Sequence, residues 1–265
     1  YGKLGFPTLG GAGAGLGTAL AYWAVLVVII LVMLKNKRIA SYQLWQWSPV
    51  QSSLLKAGLK LGLPIGLQVF AEVAIFAVVS LQMAKFSSQV IAAHQSAMNF
   101  ATLLYAFPVS VSMALPIVIS YEIGANRPQA ARQYAIIGRL TAILFAGLTL
   151  TFLYFNRQMV AGWYGQNPVF IRLTADFLVF ALFFQLADAF TAPIQGILRG
   201  YKDTTVSFLL GLISFWSLTF PIAFLLEGTT DLGPKAYWVG LIVGIFACGI
   251  TLNIRMHIVE KRTVQ

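Results

Sequence analysis

The chain has 265 residues, 58% of them hydrophobic and 10% charged, whereas a soluble domain carries about 45–50% apolar and about 25% charged residues. So much apolar surface has no place in one aqueous core, and the chain is expected to be an integral membrane protein. The net charge of +10 lies mostly in short loops between apolar runs, the pattern of cytoplasmic loops and not of a phosphate-binding groove, so no nucleic-acid partner is expected.

A helix needs roughly 20 apolar residues to cross the hydrocarbon core. Seven stretches qualify: 12–34, 61–83, 90–119, 133–155, 174–196, 206–227 and 236–254. All seven are expected to be helices, because an open strand edge in lipid would leave backbone groups without partners. The first carries the glycine run Gly10, Gly11, Gly13, Gly15 and Gly17. That run lacks the spacing of a phosphate loop and no basic residue follows it, which speaks against transport powered directly by ATP. Gly13 and Gly17 suit close helix packing instead.

Residues 35–60 form the long polar connection, with Trp45, Trp47 and Pro49 in it, and make the best candidate domain boundary. The third span carries Pro108 and Pro116, so a kink or break is expected there. Pro64, Pro193 and Pro221 also lie inside spans; they mark hinges or simple tolerated kinks. Cys248 is the sole cysteine, which rules out a disulfide within the chain and a thiolate metal cluster. The chain opens at Tyr1 without the short basic and apolar regions of a signal peptide, and it is expected to be a piece of a longer polypeptide. If the first span runs from outside to inside, the outer loops hold Lys3, Lys85, Arg157, Arg172 and Lys235, and the rest of the 18 Lys and Arg fall inside. This bias predicts a cytoplasmic C-terminus.

Two acids stand near the middle of spans. Glu72 lies within Leu61–Met83 and Asp188 within Thr174–Gly196. A charge at such depth costs at least about 2.5 kcal/mol and marks a functional site by default. Gln68 lies one turn from Glu72, and Gln185, Asp188 and Gln195 share a face of the fifth span. On the third span Gln95, Asn99 and Thr102 form a stripe, with His94 beside it and Tyr105 one turn on. Three polar seams on greasy helices are expected to converge on a water-accessible cavity that binds a cation or a proton. Amide and hydroxyl residues can equally serve to bond helices together, and His94 reads first as a hydrogen-bonded packing residue. Asp176 and Glu122 lie near helix ends, where water reaches them.

Four stretches together resemble the multidrug and toxic compound extrusion (MATE) family of antiporters, with the bacterial NorM-like branch closest. They are PTLGGAGAGLGTA at Pro7–Ala19, GLPIGLQVFAEVAIFAVV around Glu72, AAHQSAMNF at Ala92–Phe100 and QLADAFTAPIQGILRGYKDT at Gln185–Thr204. The resemblance implies an all-α membrane protein of twelve helices in two six-helix lobes. This chain would supply the last helix of the first lobe (1–36), a cytoplasmic interlobe loop (37–59) and the C-terminal lobe (60–265). The remaining N-terminal lobe would then belong to the same polypeptide.

The resemblance further implies export of cationic or amphipathic drugs and toxins across the cytoplasmic membrane, driven by sodium or protons, with no other cofactor. Glu72 and Asp188 match the second-lobe acids that bind the coupling ion, sodium included. Gln68, Gln95, Asn99, Tyr105, Phe184, Gln185 and Gln195 are candidate cavity-lining residues. The family's tyrosine one turn before the Asp is Phe184 here, which removes one oxygen ligand from a sodium site. Phe70, Phe76, Tyr105 and Phe184 offer aromatic surface to a drug or plain packing. Three rivals stand beside this reading. A lipid-linked oligosaccharide flippase of the same superfamily would prefer a basic cavity. An intramembrane enzyme would use Glu72, Asp188 and His94 as acid–base groups. A structural or assembly subunit would carry no transport of its own.

Overall fold

The computed structural model describes residues 10–36 and 49–264. Among them, seven helices are long and apolar enough to cross a membrane. They are α1 (Gly10–Lys35), α2 (Ser52–Gln82), α3 (Ser88–Gly124), α4 (Pro128–Tyr164), α5 (Pro168–Gly200), α6 (Thr204–Thr229) and α7 (Lys235–Val264); a short 3₁₀ turn, Met83–Lys85, follows α2. The all-α architecture matches the expectation from composition, and no strand occurs among the described residues. Of the expected interlobe loop, 37–48 lies outside them, and 52–59 is already helical as the first two turns of α2, so the loop ends earlier than its polarity suggested.

Most helices run past both ends of their apolar stretch, and side-chain caps mark where two of them begin. Ser87 accepts a hydrogen bond from the Val90 amide at the start of α3, and Asn167 does the same for Val169 and Phe170 at the start of α5. Pro128 and Pro168 open α4 and α5 at the position where a missing N–H costs nothing. Pro108 and Pro116 do not break α3, which continues through both for 37 residues.

Contacts divide the chain into two compact units, Tyr1–Leu55 and Lys56–Gln265. The first contains α1, which carries no charged residue before Lys35. In the second, α5 is the central column and packs against α3, α4 and α7, while α6 packs on α7. Small residues set the spacing. A Cβ at Gly196 of α5 would run into the Ser112 carbonyl oxygen of α3, and one at Gly200 would meet the Ile119 side chain at 2.8 Å. Thr191 of α5 reaches across to the Ile245 carbonyl of α7 at 3.1 Å. Such close backbone approach is how helices associate in lipid, where no hydrophobic effect drives them together. α2 stands further off and is held by hydrogen bonds along the stretch from Ala71 to the adjoining Lys85.

Candidate cation-binding site

The two acids predicted from their depth lie on neighbouring helices, and Glu72 of α2 is bonded to the face of α5 that carries Asp188. Glu72 on α2 accepts two hydrogen bonds through Oε1, from Gln68 Nε2 at 3.2 Å and from Gln195 Nε2 of α5 at 2.8 Å. Gln68 is one turn below on the same helix, so its bond follows from α-helical spacing. Gln195 lies seven residues beyond Asp188, which is two turns along the same face of α5. The Glu72 Oε2 atom takes no hydrogen bond among the described residues.

Asp188 is only 6% exposed and close enough to Glu72 for the two charges to interact. Its carboxylate has neither a hydrogen bond nor an ion pair among the described residues. Buried polar groups are nearly always partnered, and each exception calls for an explanation. Tyr105 on α3 lies within reach of both acidic charges. A cleft beside Glu72, with a volume of about 10 Å³, is lined by Gln68, Phe215, Trp216 and Cys248 among others; that is about the room one water-sized particle needs. Trp216 of α6 closes over it by donating its indole N–H to the Ala71 carbonyl at 3.3 Å.

These oxygens suit a hard cation, which takes carboxylate, amide and hydroxyl ligands. They suit a proton equally, since either acid can hold one. Phe184, at the position where the resemblance calls for a tyrosine, offers no oxygen. It packs edge-to-face on Phe76, ring centroids 5.6 Å apart, and Phe76 in turn meets Phe215 at 6.4 Å. This aromatic wall seals one side of the acid pair.

The remaining predicted residues lie elsewhere. Gln185 is buried and donates to the Leu104 carbonyl at 3.2 Å, joining α5 to α3. Gln95 and Asn99 stand on the exposed face of α3, and neither bonds to either acid among the described residues. Asn99 accepts from the Tyr164 hydroxyl at 2.9 Å, and Thr102 turns back to the Met98 carbonyl. Gln95, Asn99 and Thr102 thus stand apart from the acids among the described residues, while Tyr105, one turn on, lies within reach of their charges. His94 is fully buried, accepts from the Trp238 indole at 3.2 Å and lies 3.4 Å from the Ser80 hydroxyl. Asp176 pairs with Lys235 at 2.7 Å and Glu122 with Arg127 at 2.8 Å.

Sequence reasoning missed Arg199, Trp216 and Cys248 as neighbours of Glu72. The signal for Arg199 was present: it falls one turn after Gln195 on the face that carries Asp188. In the turn after α5, burial and the Glu260 carboxylate push the Tyr201 phenol up to about 12. Next to it, Asp203 holds Arg255 through two hydrogen bonds at 2.7 and 3.0 Å.

A sequence profile of the MatE family matches residues 64–225, the stretch that contains both acids. The chain belongs to the MatE family. Its MatE relatives include the probable multidrug resistance protein NorM of Streptococcus pneumoniae strain R6, 53% identical over 262 residues, and that of Bacillus subtilis strain 168, 43% identical over 271 residues. These alignments cover 99% and 100% of this chain but 58% and 59% of the relatives, so the chain spans under three-fifths of their length. Among solved structures, a eukaryotic MATE transporter superposes with a TM-score of 0.83 at 17% identity, covering 97% of this chain and 60% of that one. A MOP superfamily transporter from Pyrococcus furiosus gives 0.82 at 16% identity over 97% and 58% of the two chains. As a MatE member with seven helices long and apolar enough to cross a bilayer, the chain is a multi-pass membrane protein.

Proposed function

We propose that this chain is the C-terminal part of an antiporter that exports cationic or hydrophobic drugs and toxins across the cytoplasmic membrane in exchange for sodium or protons. Glu72 and Asp188 bind the coupling ion. The observation that carries this reading is the buried Asp188 carboxylate, without a hydrogen bond or ion pair among the described residues, on the α5 face whose Gln195 bonds Glu72. NorM relatives named for multidrug resistance support the substrate class. The first lobe then ends with α1 and the second lobe begins with α2, with the C-terminus in the cytoplasm.

Two close carboxylates repel when both are ionised, and a cation or a proton between them relieves that repulsion. Coupling requires only that the ion bind one orientation of the transporter better than the other. A cationic drug competes for the same charge, so ion and drug displace each other. The flippase alternative would call for a basic cavity, whereas the mid-membrane charges here are acidic. The family match and the relatives' names leave the intramembrane enzyme without support.

The test is efflux of a cationic dye from vesicles containing the full-length protein, with sodium and proton gradients imposed separately. Glu72→Gln and Asp188→Asn are each expected to abolish ion-driven efflux and to weaken binding of the cationic dye. Transport unchanged by both substitutions would sink the coupling-site reading.

A further inference from the structure

Asp188, Gln195 and Arg199 fall at i, i+7 and i+11 on α5, one continuous face that runs from the buried acid to the end of the helix. Gln195 touches Glu72, and the Arg199 guanidinium one turn further on lies close enough for its charge to act on Glu72 and on Tyr105. The Arg199 Nε is buried without a hydrogen-bond partner, and among the described residues Arg199 forms no ion pair. Arg127 pairs with Glu122 and Arg255 with Asp203, and Arg139, whose Nε is likewise buried without a partner, reaches Asn253 through its terminal nitrogen. An unpartnered guanidinium nitrogen and an unpartnered carboxylate oxygen thus sit along the same seam. Arginine cannot shed its proton and its fork matches a carboxylate.

We propose that Arg199 is a tethered counter-cation for Glu72, one that competes with the coupling ion and speeds its release; this rests on Glu72 and Asp188 being the ion site. When the ion leaves, the guanidinium compensates the bared carboxylates through the seam. When the ion binds, Arg199 is pushed back toward the helix end. The titratable or charged groups that face Glu72 are Tyr105 from α3, Asp188 and Arg199 from α5 and Cys248 from α7. The α6 residues lining the cleft are uncharged. Arg199 is the cation among these groups.

The experiment uses the full-length protein in vesicles, with dye efflux followed against sodium concentration at fixed pH and against pH without sodium. For Arg199→Gln, the half-saturating ion concentration is expected to fall about three- to tenfold, the size of a partly screened charge interaction. The maximal rate should fall with it, because the ion is held longer, and Arg199→Lys should return both toward the parent values. A lower maximal rate with an unchanged half-saturating concentration indicates a merely structural arginine and overturns the proposal. If Arg199→Gln does not fold, adding Glu72→Gln should restore the melting temperature by removing the uncompensated acid; no restoration overturns it too. Ion dependence lost in Glu72→Gln but unaltered in Arg199→Gln refutes the counter-cation alone. Ion dependence intact in Glu72→Gln refutes the ion site beneath it.

Discussion

Asp188 and His94 are both buried polar residues in a greasy bundle, and the difference between them is in their partners. Trp238 Nε1 is a donor only, so His94 must accept at Nδ1 and carry its proton on Nε2, which then faces Ser80. The imidazole is filled on both sides and edged by the Phe177 ring at 6.0 Å. It ties α2, α3 and α7 together and has no free edge for chemistry. His94→Leu would leave the Trp238 N–H buried without an acceptor, a loss of about 1–3 kcal/mol. The expected outcome is a lower melting temperature in detergent with ion-dependent transport retained at permissive temperature; a collapse of ion coupling at full stability would contradict the packing role. The acids were legible in the sequence because hydrocarbon makes a charge expensive wherever it sits. Arg199 shares the Asp188 face by its spacing, but a basic residue in the last turn of a helix is ordinary and so draws no notice.

At the scale of the helix, α5 shows how packing in lipid places chemistry. Its Gly196 follows Gln195, so the backbone contact with Ser112 of α3 and the bond to Glu72 of α2 are set within two residues. Gly196→Val would force α3 and α5 apart; overpacking of this kind costs about 1–3 kcal/mol. The variant is expected to melt several degrees lower and to weaken the Gln195–Glu72 contact, read as a shift in half-saturating ion concentration alongside the stability loss. A variant as stable as the parent would show that the interface has slack. The seven helices could be read from apolar runs alone, but their ends could not: 90–119 became Ser88–Gly124 and 133–155 became Pro128–Tyr164. Apolarity reports only the hydrocarbon depth, while caps and prolines fix where a helix begins. The α3 seam reaches the acids through Tyr105 and not through Gln95 or Asn99, because helical spacing shows which residues share a face, not which neighbour that face meets.

For the molecule as a whole, the distribution of Lys and Arg predicts which side each end faces. With Cys248 replaced by Ala, a cysteine introduced at Lys261 is expected to react with a membrane-impermeant maleimide only after the membrane is opened, and one at Lys85 to react in intact cells. The reverse pattern would invert the topology and, with it, the direction from which Arg199 is reached. Lys85 is partly exposed, and its ammonium lies over the Tyr237 ring at 5.7 Å and beside Glu227 at 3.6 Å, so labelling there reads a fixed position.

α2 is fastened along a single half. Its bonds to other helices run from Ala71 and Glu72 through Ser80 to the adjoining Lys85, whereas residues 54–60 are exposed and make no side-chain hydrogen bond among the described residues. Pro64 removes one backbone rung between the two halves. The helix is therefore built like a door hung from one jamb. The ion site sits on the hinge side, where a displacement of an ångström at Glu72 becomes a much larger arc at the free edge.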